Sequence, residues 1–145
     1  MAKILSYGFI DTDVLIQINQ QKPLQQIIDE HSHLHLRRIE EEQITRININ
    51  RHVIATGGSA AYSEKAMTHL MNISTIIFLK ADYEVIKKRI HNFETRGIAK
   101  GKNQTFRQLF DERQILYNKY AELTLNCNTL DQEEIAEIIA KKIRT

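Results

Sequence analysis

The chain has 145 residues, with 20 lysines and arginines against 18 aspartates and glutamates, a formal net charge of +2. This balance argues against a nucleic acid as partner, and no apolar run reaches the roughly 18 residues of a membrane-spanning helix, so we expect no membrane association. The single cysteine, Cys127, excludes an internal disulfide and fits a reducing compartment, and no signal peptide opens the sequence. We therefore expect one cytoplasmic domain over residues 1–145.

The first predicted strand, over residues 8–11, leads into two carboxylates. Asp11 and Asp13 would emerge at the carboxyl end of this strand, where ligands bind in open α/β sheets. Two carboxylates at such an edge suit a hydrated Mg²⁺ ion or a substrate hydroxyl. The simpler alternative is that Thr12 or Asp13 caps the apolar helix that is predicted over residues 13–19.

The next segment combines three histidines with a charged helix. A helix is predicted over residues 23–30, because Pro23 suits a first turn and Leu24, Ile27 and Ile28 lie on one face. His31, His33 and His35 fit either a metal site or a solvated helix start, and on a helix only the first and last of them are neighbours. A second helix covers residues 36–47, and most of its charged side chains are expected in solvent, paired four residues apart. They are Arg37, Arg38, Glu40, Glu41 and Glu42.

A glycine pair follows the second predicted strand, which covers residues 52–55. Gly57 and Gly58 would let backbone N–H groups approach a ligand closely, although a plain turn is equally consistent. A helix capped by Ser63 comes next. The apolar, β-branched run at residues 73–79 predicts a strand that is buried on both faces, as in a parallel sheet.

The last third of the chain continues the alternation of helices and strands. Asp82 and Thr105 are each expected to cap a helix. Residues 94–104 lie between these helices, with two glycines, three basic side chains and almost nothing to bury. They fit either a surface loop or a mobile lid over an anionic ligand. A strand at residues 123–126 and an amphipathic helix at residues 131–143 complete an α/β fold with a parallel sheet.

Five motifs, in this order, resemble those of the shikimate kinase family. Its members are small P-loop kinases of the nucleoside-monophosphate-kinase type. The motifs are FIDTD, LRRIE, VIATGG, an arginine in the glycine-containing segment, and ERQILYNKYA. The family pattern is DTD, FRxxE, GGG, a lid Arg-Pro and RxxLY. The match spans nearly the whole chain and implies a three-layer α/β fold with helices flanking a parallel sheet, a lid at about 94–104, and a monomer. It also implies ATP and Mg²⁺ as cofactors, and phosphorylation of a hydroxyl on shikimate or a related hydroxy acid.

The resemblance implies roles for five residues on the acceptor side. Asp13 would bond substrate hydroxyls and accept the proton of the attacking one. Arg37 and Arg113 would clamp the substrate carboxylate, a task that suits the planar guanidinium group. Gly57 and Gly58 would present backbone N–H groups to the substrate. Without the resemblance, an exposed ion pair would be the expected fate of each helical arginine.

Three further roles are implied on the phosphate side. Asp11 would hold Mg²⁺ through water, and Arg96 would close from the lid over the transferring phosphoryl group. Arg89 would lie against the adenine. Phosphoryl transfer depends mainly on positioning and charge neutralisation, so acids, arginines and backbone donors are chemically sufficient on the acceptor side.

The first strand of the family and its GxxxxGKST loop have no counterpart in the sequence, which opens near the end of the following helix. In the family that strand lies mid-sheet, between the strands predicted at residues 52–55 and 73–79. Without it, the strands predicted at residues 52–55 and 73–79 each have an unpaired edge. Either these two edges pair directly, or a longer natural protein supplies the missing strand from about 20 to 30 upstream residues. Without the loop, we expect this chain to phosphorylate poorly or not at all.

Smaller departures from the family pattern concern the acceptor. Leu36 replaces the phenylalanine of FRxxE, Ser59 replaces the third glycine, Gly97 replaces the lid proline, and Ser32-His33 stands in place of Gly-Glu. The added hydroxyl and the lost aromatic wall leave open an acceptor other than shikimate, although the two arginines still indicate a carboxylate. The competing hypothesis is a non-catalytic descendant that binds an anionic metabolite or a protein partner.

Overall fold

The computed structural model describes residues 1–90 and 98–144, in which short parallel strands alternate with helices. The strands are β1 Gly8–Asp11, β2 His52–Ala55, β3 Ile77–Lys80 and β4 Leu123–Asn126. The helices are α1 Ala2–Leu5, α2 Thr12–Gln20, α3 Leu24–Glu30, α4 His33–Thr45, α5 Glu64–Ile73, α6 Tyr83–Arg89, α7 Phe106–Tyr120 and α8 Gln132–Arg144. A 3₁₀ turn, Ala60–Tyr62, follows β2. None of the helices described here combines the length and apolar character needed to cross a membrane.

The strands form two separate parallel pairs within the described residues. β1 pairs with β2, with Asp11 opposite Ala55, and β3 pairs with β4, with Lys80 opposite Asn126. The predicted α/β class, with helices flanking parallel strands, is confirmed. Of the two alternatives for the facing edges, direct pairing of β2 with β3 does not occur among these residues.

Two buried clusters hold the helices against the strands. Ile54 of β2 and Ile76, next to β3, both pack against the first cluster, so the two strand pairs share one core. The second cluster joins α2, α3 and α4 to Ala99. Burying one leucine or isoleucine side chain contributes about 1.5–3 kcal/mol, which makes these clusters the main support of the site described below. Their members are Ile44, Ala60, Ala61, Ala66, Met67, Leu70 and Tyr120 in the first, and Ile16, Ile27, Leu36, Ile39 and Ala99 in the second.

Several helices begin at the caps that the sequence predicts. The Ser63 hydroxyl accepts from the N–H of Ala66 at the start of α5. Thr105 and Gln108 form a reciprocal capping box at the start of α7. β2 and β4 also have the predicted bounds, because each short apolar strand is bordered by a turn.

The predicted boundaries of two elements are wrong. The helix predicted over residues 36–47 is α4, which begins at His33 because Ser32 caps it, and which ends at Thr45. β3 begins at Ile77 and not at residue 73, since Ile73 still belongs to α5 and the three residues between the two elements are neither helix nor strand. The predicted start of β1 at Gly8 is confirmed, and a Cβ atom there would collide with the ring of His52.

Candidate active site

Asp11, the last residue of β1, also caps the helix that follows. The Oδ1 atom of Asp11 accepts from the backbone N–H groups of Asp13 at 2.9 Å and Val14 at 3.3 Å, so Asp11 caps α2. A cap is therefore present, but its residue is neither Thr12 nor Asp13. Thr12 is fully buried, and its hydroxyl accepts from the N–H of Gly57 at 3.3 Å. This contact brings the end of β1 against the glycine loop after β2.

A cavity of about 240 Å³ lies where this glycine loop meets α2, α4 and α7. Apolar side chains from α2, α3 and α4 form part of its wall, together with Ile98 and Ala99. The structure thus brings four of the predicted acceptor residues to one cavity, together with two, Glu40 and Ser59, to which the sequence pattern gave no role at the site. The polar residues that line it are Asp13, Glu40, Gly57, Gly58, Ser59 and Arg113.

The two predicted clamp arginines meet at one backbone oxygen. Nη2 of Arg37 donates to the carbonyl oxygen of Ala99 at 3.3 Å, and Nη2 of Arg113 donates to the same oxygen at 3.2 Å. The Nε atoms of both arginines are buried and have no hydrogen-bond partner among the described residues. A buried N–H without a partner is costly, so this pair of donors is suited to an anion.

The absence of side chains at Gly57 and Gly58 allows the surrounding polar side chains to approach the backbone closely. A Cβ atom on Gly57 would lie 2.5 Å from Oδ1 of Asp13 and 2.6 Å from Oε1 of Glu40. A Cβ atom on Gly58 would collide with Nη1 of Arg113, and the Tyr117 hydroxyl donates to the Gly58 carbonyl oxygen at 2.7 Å. The segment is also a turn, since the Ala60 N–H donates to the Gly57 carbonyl oxygen. The two interpretations of the glycines are therefore compatible.

Glu40 is the acidic residue that the sequence analysis missed. It lies on α4 with only 2% of its surface exposed, whereas most charges of this helix were expected in solvent. Its Oε2 atom accepts a hydrogen bond from the Ser59 hydroxyl, and its Oε1 atom has no partner among the described residues. The signal was its spacing, because Glu40 shares the buried face of α4 with Leu36, Ile39 and Ile44.

Burial raises the pKa of Glu40 to about 7. The negative charge of Asp13 acts in the same direction as burial, whereas the Ser59 hydrogen bond and the positive charges of Arg113 and Arg37 act against it, and the value of about 7 is the net result. The cavity therefore contains a carboxyl group that gains or loses its proton near neutral pH. A group with this property at a ligand-sized cavity is typical of functional sites.

Asp11, Arg37 and Arg89 are not among the residues that line the cavity, although Arg37 contacts Ala99, which does line it. Arg89 ends α6 with an exposed side chain, and its Nη2 donates to the Cys127 carbonyl oxygen at 3.3 Å. Arg96 lies outside the described residues. The rings of His31 and His35 contact each other, with 4.3 Å between centroids, on the N-terminal side of α4.

Comparisons with known proteins identify the family of this chain. The sequence model of the family described as shikimate kinase matches residues 1–144. A shikimate kinase from Staphylococcus haemolyticus is 33% identical over 134 residues, which cover 91% of this chain and 77% of that protein. One from Lactococcus lactis subsp. cremoris is 31% identical over 98% of this chain and 88% of its own length.

Solved structures share the fold. The shikimate kinase from Acinetobacter baumannii in complex with shikimate superposes with a TM-score of 0.87 at 23% identity, over 99% of this chain and 82% of that one. The shikimate kinase from Aquifex aeolicus gives a TM-score of 0.75 at 22% identity, over 99% and 84%. The chain therefore belongs to the shikimate kinase family of P-loop phosphotransferases.

Proposed function

We propose that the cavity binds shikimate or a closely related hydroxy acid, and that a hydroxyl of this acid receives a phosphoryl group from ATP. The observation that most directly supports this proposal is the arrangement of charged side chains around Gly57 and Gly58. Asp13 and Glu40 lie against Gly57, and Arg113 lies against the next residue, Gly58. A hydroxy acid is complementary to this arrangement, since its hydroxyls bind carboxylates and its carboxylate binds guanidinium groups. The shikimate complex of the Acinetobacter enzyme supports the same choice of ligand.

The carboxylate of the acid would bind between Arg37 and Arg113. Each guanidinium group already uses Nη2 for the Ala99 carbonyl oxygen, and each retains a buried Nε–H for the ligand. Because the planar fork is held in place before the ligand arrives, little side-chain entropy is lost on binding.

Asp13 would bond the acceptor hydroxyls and take the proton of the attacking one. The N–H of Gly57 already donates to Thr12, so we assign the backbone donor to the substrate mainly to Gly58. Arg96 remains the residue proposed to neutralise the transferring phosphoryl group. Positioning the acceptor and removing its proton are the contributions that this side of the site makes to phosphoryl transfer.

The end of β1 is suited to a Mg²⁺ ion that has few protein ligands. Mg²⁺ commonly binds through one or two carboxylates, with waters and phosphate oxygens as its other ligands. Asp11 is assigned to this ion, which it would hold through water, whereas Asp13 is assigned to the acceptor hydroxyls. The described residues contain no group of three or more His, Cys, Asp or Glu side chains placed to hold a metal ion. The ion would neutralise charge on the phosphates of ATP. Arg89, on the surface at the end of α6, is proposed to lie against the adenine.

Calorimetry tests these assignments. A polypeptide of these 145 residues is titrated with shikimate, with shikimate methyl ester, and with ATP–Mg²⁺. We expect saturable binding of shikimate, much weaker binding of the uncharged ester, and little phosphoryl transfer in an ADP-release assay, because the 145 residues include no GxxxxGK[ST] loop. Equal affinity for acid and ester would contradict the arginine clamp.

The same measurements address the second candidate function, a non-catalytic protein that binds an anionic metabolite. Shikimate binding without nucleotide binding favours this candidate for the polypeptide tested. Rapid turnover with ATP refutes it, together with the expectation of impaired transfer. If the polypeptide binds neither ligand, both functions and the site assignments are wrong.

Replacing Gly58 with alanine is expected to weaken shikimate binding at least about tenfold, because the new methyl group displaces the guanidinium group of Arg113. Gly101→Ala is the matched control, since a Cβ atom there meets only Gln104 at 3.6 Å, an ordinary contact. Titration of both variants with shikimate, alongside their thermal unfolding, checks the prediction. Equal affinities for the two folded variants would contradict the close approach at Gly58.

A further inference from the structure

The guanidinium group of Arg37 lies over the face of an aromatic ring. Its Cζ atom is 3.6 Å from the ring centroid of Tyr62, and Cζ of Arg113 is 6.0 Å from the same centroid. A cation over a tyrosine face at this distance is attracted by the ring quadrupole, the more so when the pair is partly desolvated. Tyr62 is the last residue of the 3₁₀ turn that follows the glycine loop.

The ring itself is held in place at both ends. The backbone N–H of Tyr62 donates to the Ser59 carbonyl oxygen at 3.0 Å, and the phenolic hydroxyl donates to Glu112 of α7. Glu112 accepts a second hydrogen bond from Gln104 at 3.3 Å. The plane on which Arg37 rests is therefore fixed relative to α7, the helix that carries Arg113.

The position of Tyr62 is not explained by core packing. Its side chain is half-buried and belongs to neither of the two hydrophobic clusters, although its neighbours Ala60 and Ala61 belong to the first. The contacts described for the Arg37 guanidinium group are the Tyr62 face and the Ala99 carbonyl oxygen. The ring thus covers one face of the guanidinium group and leaves its edge, with Nε–H, for a ligand.

We propose that Tyr62 is a positioning residue that holds the Arg37 guanidinium group over its ring and thereby sets the affinity of the site for a carboxylate. This proposal rests on the proposed function of the cavity. A long arginine side chain that is already immobilised loses less rotamer freedom on binding than one that must be ordered by the ligand. The backbone of the 3₁₀ turn holds one end of the ring, so we expect the contact with Arg37 to persist when the hydroxyl and its bond to Glu112 are removed.

Three variants and two ligands test the proposal. Tyr62→Leu is expected to weaken shikimate binding about tenfold, the factor that corresponds to loss of a partly desolvated cation–π contact. Tyr62→Phe should remain within about twofold of the unmodified chain, and Tyr62→Trp should bind at least as tightly as the phenylalanine variant. Shikimate methyl ester, which lacks the charge, should show no difference among the variants. Calorimetry gives the affinities, and thermal unfolding reports whether each variant folds.

The outcomes separate this proposal from the one on which it rests. If the unmodified chain binds no shikimate, the proposed function fails and takes the role of Tyr62 with it. If the unmodified chain binds shikimate and folded Tyr62→Leu binds equally well, only the role of Tyr62 is wrong. Equal weakening for acid and ester would show a general structural effect and would also overturn the proposal. If Tyr62→Leu does not fold, the comparison of Tyr62→Trp with Tyr62→Phe decides, and weaker binding by tryptophan counts against stacking.

Discussion

Arg113→Ala should weaken shikimate binding by about a hundredfold or more. Arg113 reaches from α7 to the glycine loop, and its Nη2 shares the Ala99 carbonyl oxygen with Arg37. Truncating one partner of a buried, hydrogen-bonded charge pair typically costs 2–5 kcal/mol, because the other charge is left without compensation. Here the substrate carboxylate would keep one guanidinium group in place of two. Calorimetry or competition binding measures the change.

The matched control for this prediction is Arg38→Ala on α4. Arg38 is next to Arg37 in sequence but its side chain is exposed, so its loss should change the affinity no more than about twofold. Arg113→Lys is expected to fall between the two, since an ammonium group keeps the charge but not the planar fork. Unchanged affinity in folded Arg113→Ala would rule out the clamp.

Glu40→Gln should abolish most of a pH dependence of stability between about pH 4.5 and pH 7. Burial raises the pKa of Glu40 from 4.5 to about 7 in the folded protein, so the folded state holds this proton more tightly than the unfolded chain does. Ionising Glu40 therefore destabilises the folded protein. The stability that the protonated carboxyl group provides begins to fall above pH 4.5 and is fully lost above about pH 7. A shift of this size corresponds to about 3 kcal/mol.

Chemical denaturation from pH 4 to pH 8 measures this effect. Glutamine is nearly isosteric and can still accept the Ser59 hydrogen bond, so the variant should unfold with similar free energy near pH 4.5 and be more stable than the unmodified chain at pH 8. Glu42→Gln is the control on the same helix, because its side chain is exposed and should leave the pH profile unchanged. A variant that is less stable at pH 8 would show that the ionised carboxylate is net stabilising through Arg37 and Arg113.

The residues predicted from motifs meet in the structure because each lies at a strand end or on a helix face that the pattern specifies. Asp13 follows β1, the glycine pair follows β2, and Arg37 and Arg113 lie on α4 and α7. Parallel strands bring their carboxyl ends to a common edge, which was sufficient to predict that Asp13 and the glycine pair lie close together, whereas the two arginines were assigned from the family resemblance. The chemical roles of these residues stay predictions until ligand binding is measured.

Tertiary contacts explain what the sequence did not predict. Glu40 was counted with the solvated charges, although its spacing from Leu36 and Ile44 places it on the buried face of α4. The end of α5 at Ile73 was missed because apolar residues of a helix and of a following strand form one continuous run. Tyr62 had no periodicity to mark it, since its partner Arg37 is distant in sequence.

The oxygen that joins the two arginines belongs to the backbone. Replacing the methyl group of Ala99 by another small side chain leaves that acceptor in place, so alanine-scanning mutagenesis would pass over one of the groups that orient the guanidinium pair. Only the size of the side chain at this position would register, because Ala99 is 3% exposed and packs within the second cluster. A bulkier side chain at position 99 is therefore expected to shift both guanidinium groups together and to change which acceptor the site prefers.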